Sequence, residues 1–133
     1  MDVVELSLRT GAELVTDVTH EVVRFCADRG DGLLNVFVPH ATAGVALMET
    51  GSGSEADLAE AVGRLLPRDD RYRHRHGSPG HGRDHVLPAF VSPSVTVPVR
   101  AGRPLLGTWQ SVVVVDSNVD NRERSLVLSF LSG

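Results

Sequence analysis

Leu33-Leu34-Asn35-Val36-Phe37-Val38 and Ala43-Gly44-Val45-Ala46-Leu47-Met48 are two apolar runs of six residues, separated by Pro39-His40-Ala41-Thr42. Each has the length of a strand rather than a helix, and the first is apolar enough to be buried. Working outward, Val3-Val4-Glu5-Leu6-Ser7-Leu8-Arg9 alternates apolar and polar residues, the period of a half-buried strand, and Thr10-Gly11 turns. Asp17 stands where it can cap a helix running to about Arg29, with Val18, Val22, Phe25 and Cys26 on one face and Gly30 at its end. Ser54-Glu55-Ala56-Asp57 reads as a capping box opening a second helix. Leu58, Val62, Leu65 and Leu66 form its apolar face, and Pro67 stops it.

After a polar, arginine-rich stretch from Arg68 to Asp84, short apolar segments resume. Val95-Thr96-Val97-Pro98-Val99 is a strand whose proline predicts an edge position or a bulge. Ala101-Gly102-Arg103-Pro104 turns, and strands around Leu105–Leu106, Ser111–Val115 and Ser125–Leu131 close the sequence. Strands outnumber helices and do not alternate regularly with them. The expectation is a single α+β domain over residues 1–133, with a mixed sheet and two main helices.

The 133 residues suffice for one core. The net charge of −4 gives no global attraction to nucleic acid or an anionic membrane. No apolar run approaches the length of a bilayer span, so the sequence reads as cytoplasmic, with neither nucleic acid nor membrane as partner. There is no lysine, which excludes a Schiff base or a lysine-bearing phosphate loop. The arginines offer planar forks for phosphate oxygens. The one cysteine, Cys26, excludes an intrachain disulfide and reads as a buried thiol.

His74-Arg75-His76-Gly77-Ser78-Pro79-Gly80-His81-Gly82-Arg83-Asp84-His85 carries four of the six histidines on a segment that glycine and proline keep irregular. His74 and His76 would point to one side if extended, and His81 and His85 to one side if helical. Asp84 is placed to orient an imidazole or to act as a general base. With Arg71, Arg73, Arg75 and Arg83 nearby, the segment reads as a metal or phosphate site, against the plainer alternative of a solvated charged loop.

His40 and Thr42 lie where loops at strand ends carry binding groups, although a lone strand-end histidine is more often structural. Glu49 would face His40 if the two apolar strands paired as a hairpin, giving an acid–base couple or a mixed ligand set. Trp109 reads first as a core residue, or else as a stacking surface beside Gln110. The polar stretch from Asp116 to Arg124 reads as an ordinary hairpin loop.

Taken in order, Pro39-His40-Ala41-Thr42-Ala43-Gly44 with Glu49, Tyr72-Arg73-His74, His85, Pro93-Ser94-Val95-Thr96-Val97-Pro98-Val99 and Leu106-Gly107-Thr108-Trp109-Gln110 resemble the YjbQ family, described as secondary thiamine-phosphate synthases. The resemblance implies a strongly curved sheet, a homotrimer, and an activity that joins a pyrimidine pyrophosphate to a thiazole phosphate and releases pyrophosphate. It implies a pocket of His40, Thr42, Glu49, Asp57, His74, His85, Trp109 and Gln110. Read with the local chemistry, it makes His40, Glu49, Asp84 and His85 the catalytic candidates. Thr42, Asp57, Arg73, Trp109, Gln110 and Arg122 become candidates for holding a small phosphorylated substrate. His40, His74, His81 and His85 become candidates for a divalent metal, zinc or magnesium. His81 stands where relatives favour asparagine, and Asp116 keeps an acidic position whose partner arginine is expected at Arg122. The alternatives to a synthase are a non-catalytic module for a phosphorylated metabolite or metal, and a metal-assisted phosphoester hydrolase.

Overall fold

The computed structural model describes residues 1–133. In chain order its elements are β1 (Asp2–Arg9), β2 (Val15–Asp17), α1 (Thr19–Cys26), β3 (Gly32–Phe37), β4 (Ala43–Met48), α2 (Ser54–Leu65), β5 (Ser94–Arg100), β6 (Arg103–Pro104), β7 (Ser111–Asp116) and β8 (Glu123–Ser132). Two single-turn 3-10 helices, His81–Arg83 and Leu87–Ala89, lie between α2 and β5.

The two apolar runs do become strands, but in different sheets. One sheet has the order β1-β8-β3-β5-β6 and the other β2-β7-β4. Every pairing is antiparallel, which corrects the expectation of a mixed sheet. A period-two pattern identifies strands but says nothing of their direction. The α+β domain with two main helices is otherwise as expected.

Val112, Val113, Val114 and Val115 of β7 are all inaccessible to solvent, because both faces of the small sheet are covered. Val112 and Val114 join the main core with Val22, Leu34, Val36, Leu128 and Phe130. Val113 and Val115 join a second cluster with Val62 and Leu66 at the end of α2 and Leu87. A strand buried on both sides needs apolar residues at every position, which explains the unbroken valine run.

Local details refine the sequence reading. The Asp17 carboxylate accepts from the Thr19 amide, although Val18 occupies the cap position of α1. The expected capping box of α2 does not form: Gly53 (φ 101°) caps the helix, and Glu55 reaches back to the Gly51 amide. Pro98 sits on β5 just outside its pairing with two-residue β6, and its carbonyl accepts from the Leu105 amide on that outer side, where a missing N–H breaks no bond to β3. Leu105 and Leu106 lie beyond β6, and Trp109 is 73% exposed rather than in the core. No helix is long and apolar enough to cross a membrane.

Candidate functional site

The segment between α2 and β5 turns at Gly77 (φ 85°) and Gly80 (φ 76°). The 3-10 turn after Gly80 is closed by the Arg83 amide on the Gly80 carbonyl and the Asp84 amide on the His81 carbonyl. These reversals fold the chain back so that four imidazoles gather. Ring centroids lie 3.9 Å apart for His74 and His76, 4.0 Å for His74 and His85, and 4.8 Å for His81 and His85. Ligand nitrogens of His74, His76 and His85 all lie within 4.8 Å of one another.

Behind the rings is a buried carboxylate, Asp84, with no solvent exposure. It accepts from Arg68 Nη2 at 2.9 Å, Ser117 Oγ at 2.5 Å and His81 Nδ1 at 3.0 Å. Asp120 adds a second carboxylate oxygen 3.3 Å from His81 Nδ1 and also accepts from the Ser78 amide. That amide contact is the main reason the Asp120 carboxyl is held below its ordinary range. In front of the rings, a cleft of about 250 Å³ is lined by His74, His76, His81, Asp70, Tyr72 and Arg75, among others.

Burial first, then the neighbouring imidazoles His76 and His81, pulls His74 below the ordinary histidine range. His85 is lowered by burial and then by His74, His81 and His76. Both shifts favour the neutral imidazole, the form that ligates metals. Nδ1 of His74 is buried with no hydrogen-bond partner, a lone polar atom awaiting one. The donors present fit a divalent metal, and three imidazoles suit zinc far better than oxygen-seeking magnesium.

A second polar cluster lies at the other end of the Asp116–Asp120 loop. Asp116 and Arg124 are both buried, with Nε 2.7 Å from Oδ2. Thr10 Oγ1 donates to Asp116 at 2.7 Å, and Arg124 Nη2 donates to Thr42 Oγ1 at 2.9 Å. His40 Nε2 accepts from the Ser125 amide at 2.8 Å. Burial, then the Arg124 charge, pushes His40 below its ordinary range.

Of the residues expected in one site, the structure thus gathers His74, His81, Asp84 and His85. His40 and Thr42 stand with Arg124 instead, the His40 Nε2 lone pair already committed to a backbone amide. Glu49 does not meet His40, because β3 and β4 pair in different sheets. Glu49 follows the far end of β4, about 20 Å of strand from the His40 end. Asp57 is exposed on the first turn of α2. Trp109 is exposed on the turn before β7, where Gln110 accepts from the Gly107 amide. Arg73 is exposed beside the cleft, and Arg122 is exposed against Gly11. Arg124, not Arg122, is the arginine that pairs with Asp116.

His76 joins the ligand trio, and Arg68, Ser117 and Asp120 complete the surroundings of Asp84 and His81. The polar loop that carries two of them is ordered by its own side chains. Asp116 accepts from the Asn118 amide, Asn118 from the Asp120 amide and Asn121 from the Glu123 amide. That repeated side-chain turn was the available signal in Asp116-Ser117-Asn118-Val119-Asp120-Asn121.

The family model for UPF0047 protein YjbQ-like matches residues 4–133. The UPF0047 protein Rv2556c of Mycobacterium tuberculosis is 62% identical over 133 residues, covering 100% of both chains. A UPF0047 protein of Archaeoglobus fulgidus is 31% identical over 124 residues, covering 92% of this chain and 97% of its own. Among solved structures, APE1520 of Aeropyrum pernix K1 superposes with a TM-score of 0.90 at 29% identity, covering 100% of both chains. TT1486 of Thermus thermophilus gives 0.84 at 26% identity, covering 96% and 99%. The chain belongs to the YjbQ-like UPF0047 family.

Proposed function

We propose that the protein is a transferase acting on small phosphorylated substrates, with a divalent metal, zinc for preference, held by His74, His76 and His85. The observation that carries this reading is the convergence of those three imidazoles, two of which, His74 and His76, line the cleft of about 250 Å³. When bound, the metal would supply positive charge to offset developing negative charge on a phosphate or pyrophosphate group. Arg75, on the cleft wall, and the exposed Arg73 offer guanidinium forks to the same oxygens. Tyr72 presents its ring to the cleft while its hydroxyl is tied to the Pro67 carbonyl, so the ring is a fixed surface for a flat heterocycle. Asp84 is too deeply buried to touch substrate and serves to hold His81.

The reaction we propose, on the family resemblance, is thiamine-phosphate synthesis, the joining of a pyrimidine pyrophosphate to a thiazole phosphate with loss of pyrophosphate. Purified protein supplied with both substrates and zinc should release pyrophosphate and thiamine phosphate, and His85→Ala should abolish both. The three-histidine set would equally serve hydrolysis, with water as acceptor. Phosphate release from a simple phosphoester, without condensation, would move the reading there.

The resemblance also supports a homotrimer. On the outer face of the large sheet, Leu33 and Leu131 face each other in register on β3 and β8, 46% and 55% exposed, with Pro98 opposite Leu33 on β5. Such an apolar row is the kind of surface that association covers.

A further inference from the structure

His81 lies 3.0 Å from His85, nitrogen to nitrogen, yet stands outside the trio whose ligand atoms converge. The proton arrangement explains the difference. Asp84 is ion-paired with Arg68 and accepts from Ser117, so it has no proton to give. His81 Nδ1, facing Asp84 at 3.0 Å and Asp120 at 3.3 Å, must therefore be the donor. In neutral His81 this leaves Nε2 as a lone pair, and the atom facing it is His85 Nε2 at 3.0 Å. One of the two facing nitrogens must carry the hydrogen. If His85 carries it, His85 Nδ1 is left as a free lone pair. If His81 carried it, His81 would be an imidazolium, His85 Nε2 would be an acceptor and the proton of neutral His85 would sit on Nδ1. His85 would then have no lone pair for a metal. Only the first arrangement makes His85 a ligand.

We infer that His81 is a positioning residue rather than a ligand: held by Asp84 and Asp120, it fixes His85 as the Nε2–H tautomer and so leaves Nδ1 as the one free lone pair of His85. Its use rests on the metal reading above, but its geometry does not. The fold supports such a relay at both ends. Asp84 is locked by Arg68 and Ser117. Asp120 is locked by the Ser78 amide and by the loop that carries it. A Cβ on Gly77 would lie 2.7 Å from Asp120 Oδ2 and 2.8 Å from His81 Cδ2, so the relay is packed against backbone on that side. Metal-ligating imidazoles elsewhere take their orientation from such outer partners.

The direct test is long-range ¹H–¹⁵N correlation of the histidine side chains in the metal-free wild-type protein. The expected spectrum shows His81 protonated at Nδ1 and His85 at Nε2, and zinc then shifts His85 Nδ1. His85 protonated at Nδ1, or zinc bound directly through His81, overturns the proposal. Two variants separate positioning from mere packing. His81→Gln places a carbonyl near the Nε2 position and keeps an acceptor for His85. His81→Asn keeps a donor toward Asp84 but loses that acceptor. Zinc affinity should stay within a few-fold in the Gln variant and fall about 10- to 100-fold in the Asn variant. Equal losses in both overturn the proposal. Wild-type protein showing the Nε2–H tautomer of His85 but no zinc affinity upholds the relay and removes the metal reading instead.

Discussion

Arg124 and Asp116 form a buried ion pair at 2.7 Å that fastens the start of β8 to the end of β7. The same two residues hold Thr42 and Thr10, so the pair knits the ends of β4 and β1 to the loop that carries Asp120. Removing the arginine alone would leave a buried, unpaired carboxylate. Arg124→Leu should therefore cost about 3–5 kcal/mol in urea unfolding at neutral pH. Exposed Arg122→Leu should stay within about 0.5 kcal/mol. Comparable losses in the two variants would show that Arg124 is not the keystone.

Histidines held below their ordinary range make stability depend on pH with a defined sign. His40 is lowered by burial and then by Arg124, and His74 and His85 by burial and neighbouring imidazoles. The unfolded chain therefore binds more protons than the folded one once pH drops below the ordinary value of about 6.5. Stability should fall as pH drops from there to the folded-state values and level off below them, with no contribution from these groups above. His40→Gln, whose carbonyl can still accept from the Ser125 amide, should give a shallower loss on acidification. An unchanged pH profile by thermal melting would contradict this.

Two glycines should respond oppositely to alanine. Gly77 has φ 85° and no room for a Cβ beside Asp120 and His81. Gly77→Ala should cost about 1–3 kcal/mol and weaken zinc binding. Gly63 lies within α2, where an added Cβ would meet nothing within 4 Å, so Gly63→Ala should add about 0.5–1 kcal/mol. Denaturation and zinc titration of both variants check the pair.

The row formed by Leu33, Leu131 and Pro98 makes a prediction for assembly. Under the proposed homotrimer, Leu131→Arg should turn a sedimenting trimer into a monomer while leaving the circular dichroism of the chain unchanged. A trimer that survives the substitution would place its interface elsewhere.

Much of this was legible in the sequence, and the failures have physical causes. The bounds of β4 and the buried face of α1 follow from local apolar pattern, which the core preserves. Pairing was not legible: nothing in Leu33–Met48 shows that the break at Pro39–Thr42 sends the chain into a second sheet instead of a hairpin. That one choice separates Glu49 from His40. The histidine segment could be recognised by composition, but its ligand set depended on Gly77 and Gly80 reversing the chain, which brings in His76 and turns His81 toward Asp84. Asp120 is missed when the Asp and Asn spacing of residues 116–121 is read as an ordinary hairpin loop instead of a run of side-chain turns. In the structure Asp116, Asn118 and Asn121 each accept from the amide two residues on, which orders the loop that carries Asp120.

The central claim, a metal held by His74, His76 and His85, is tested most directly by titrating metal-free protein with zinc in a calorimeter. The expected result is one zinc per chain, lost in His85→Ala and retained in His40→Gln. Wild-type protein that takes up no stoichiometric zinc, or a His85→Ala variant that binds it as tightly, would contradict it.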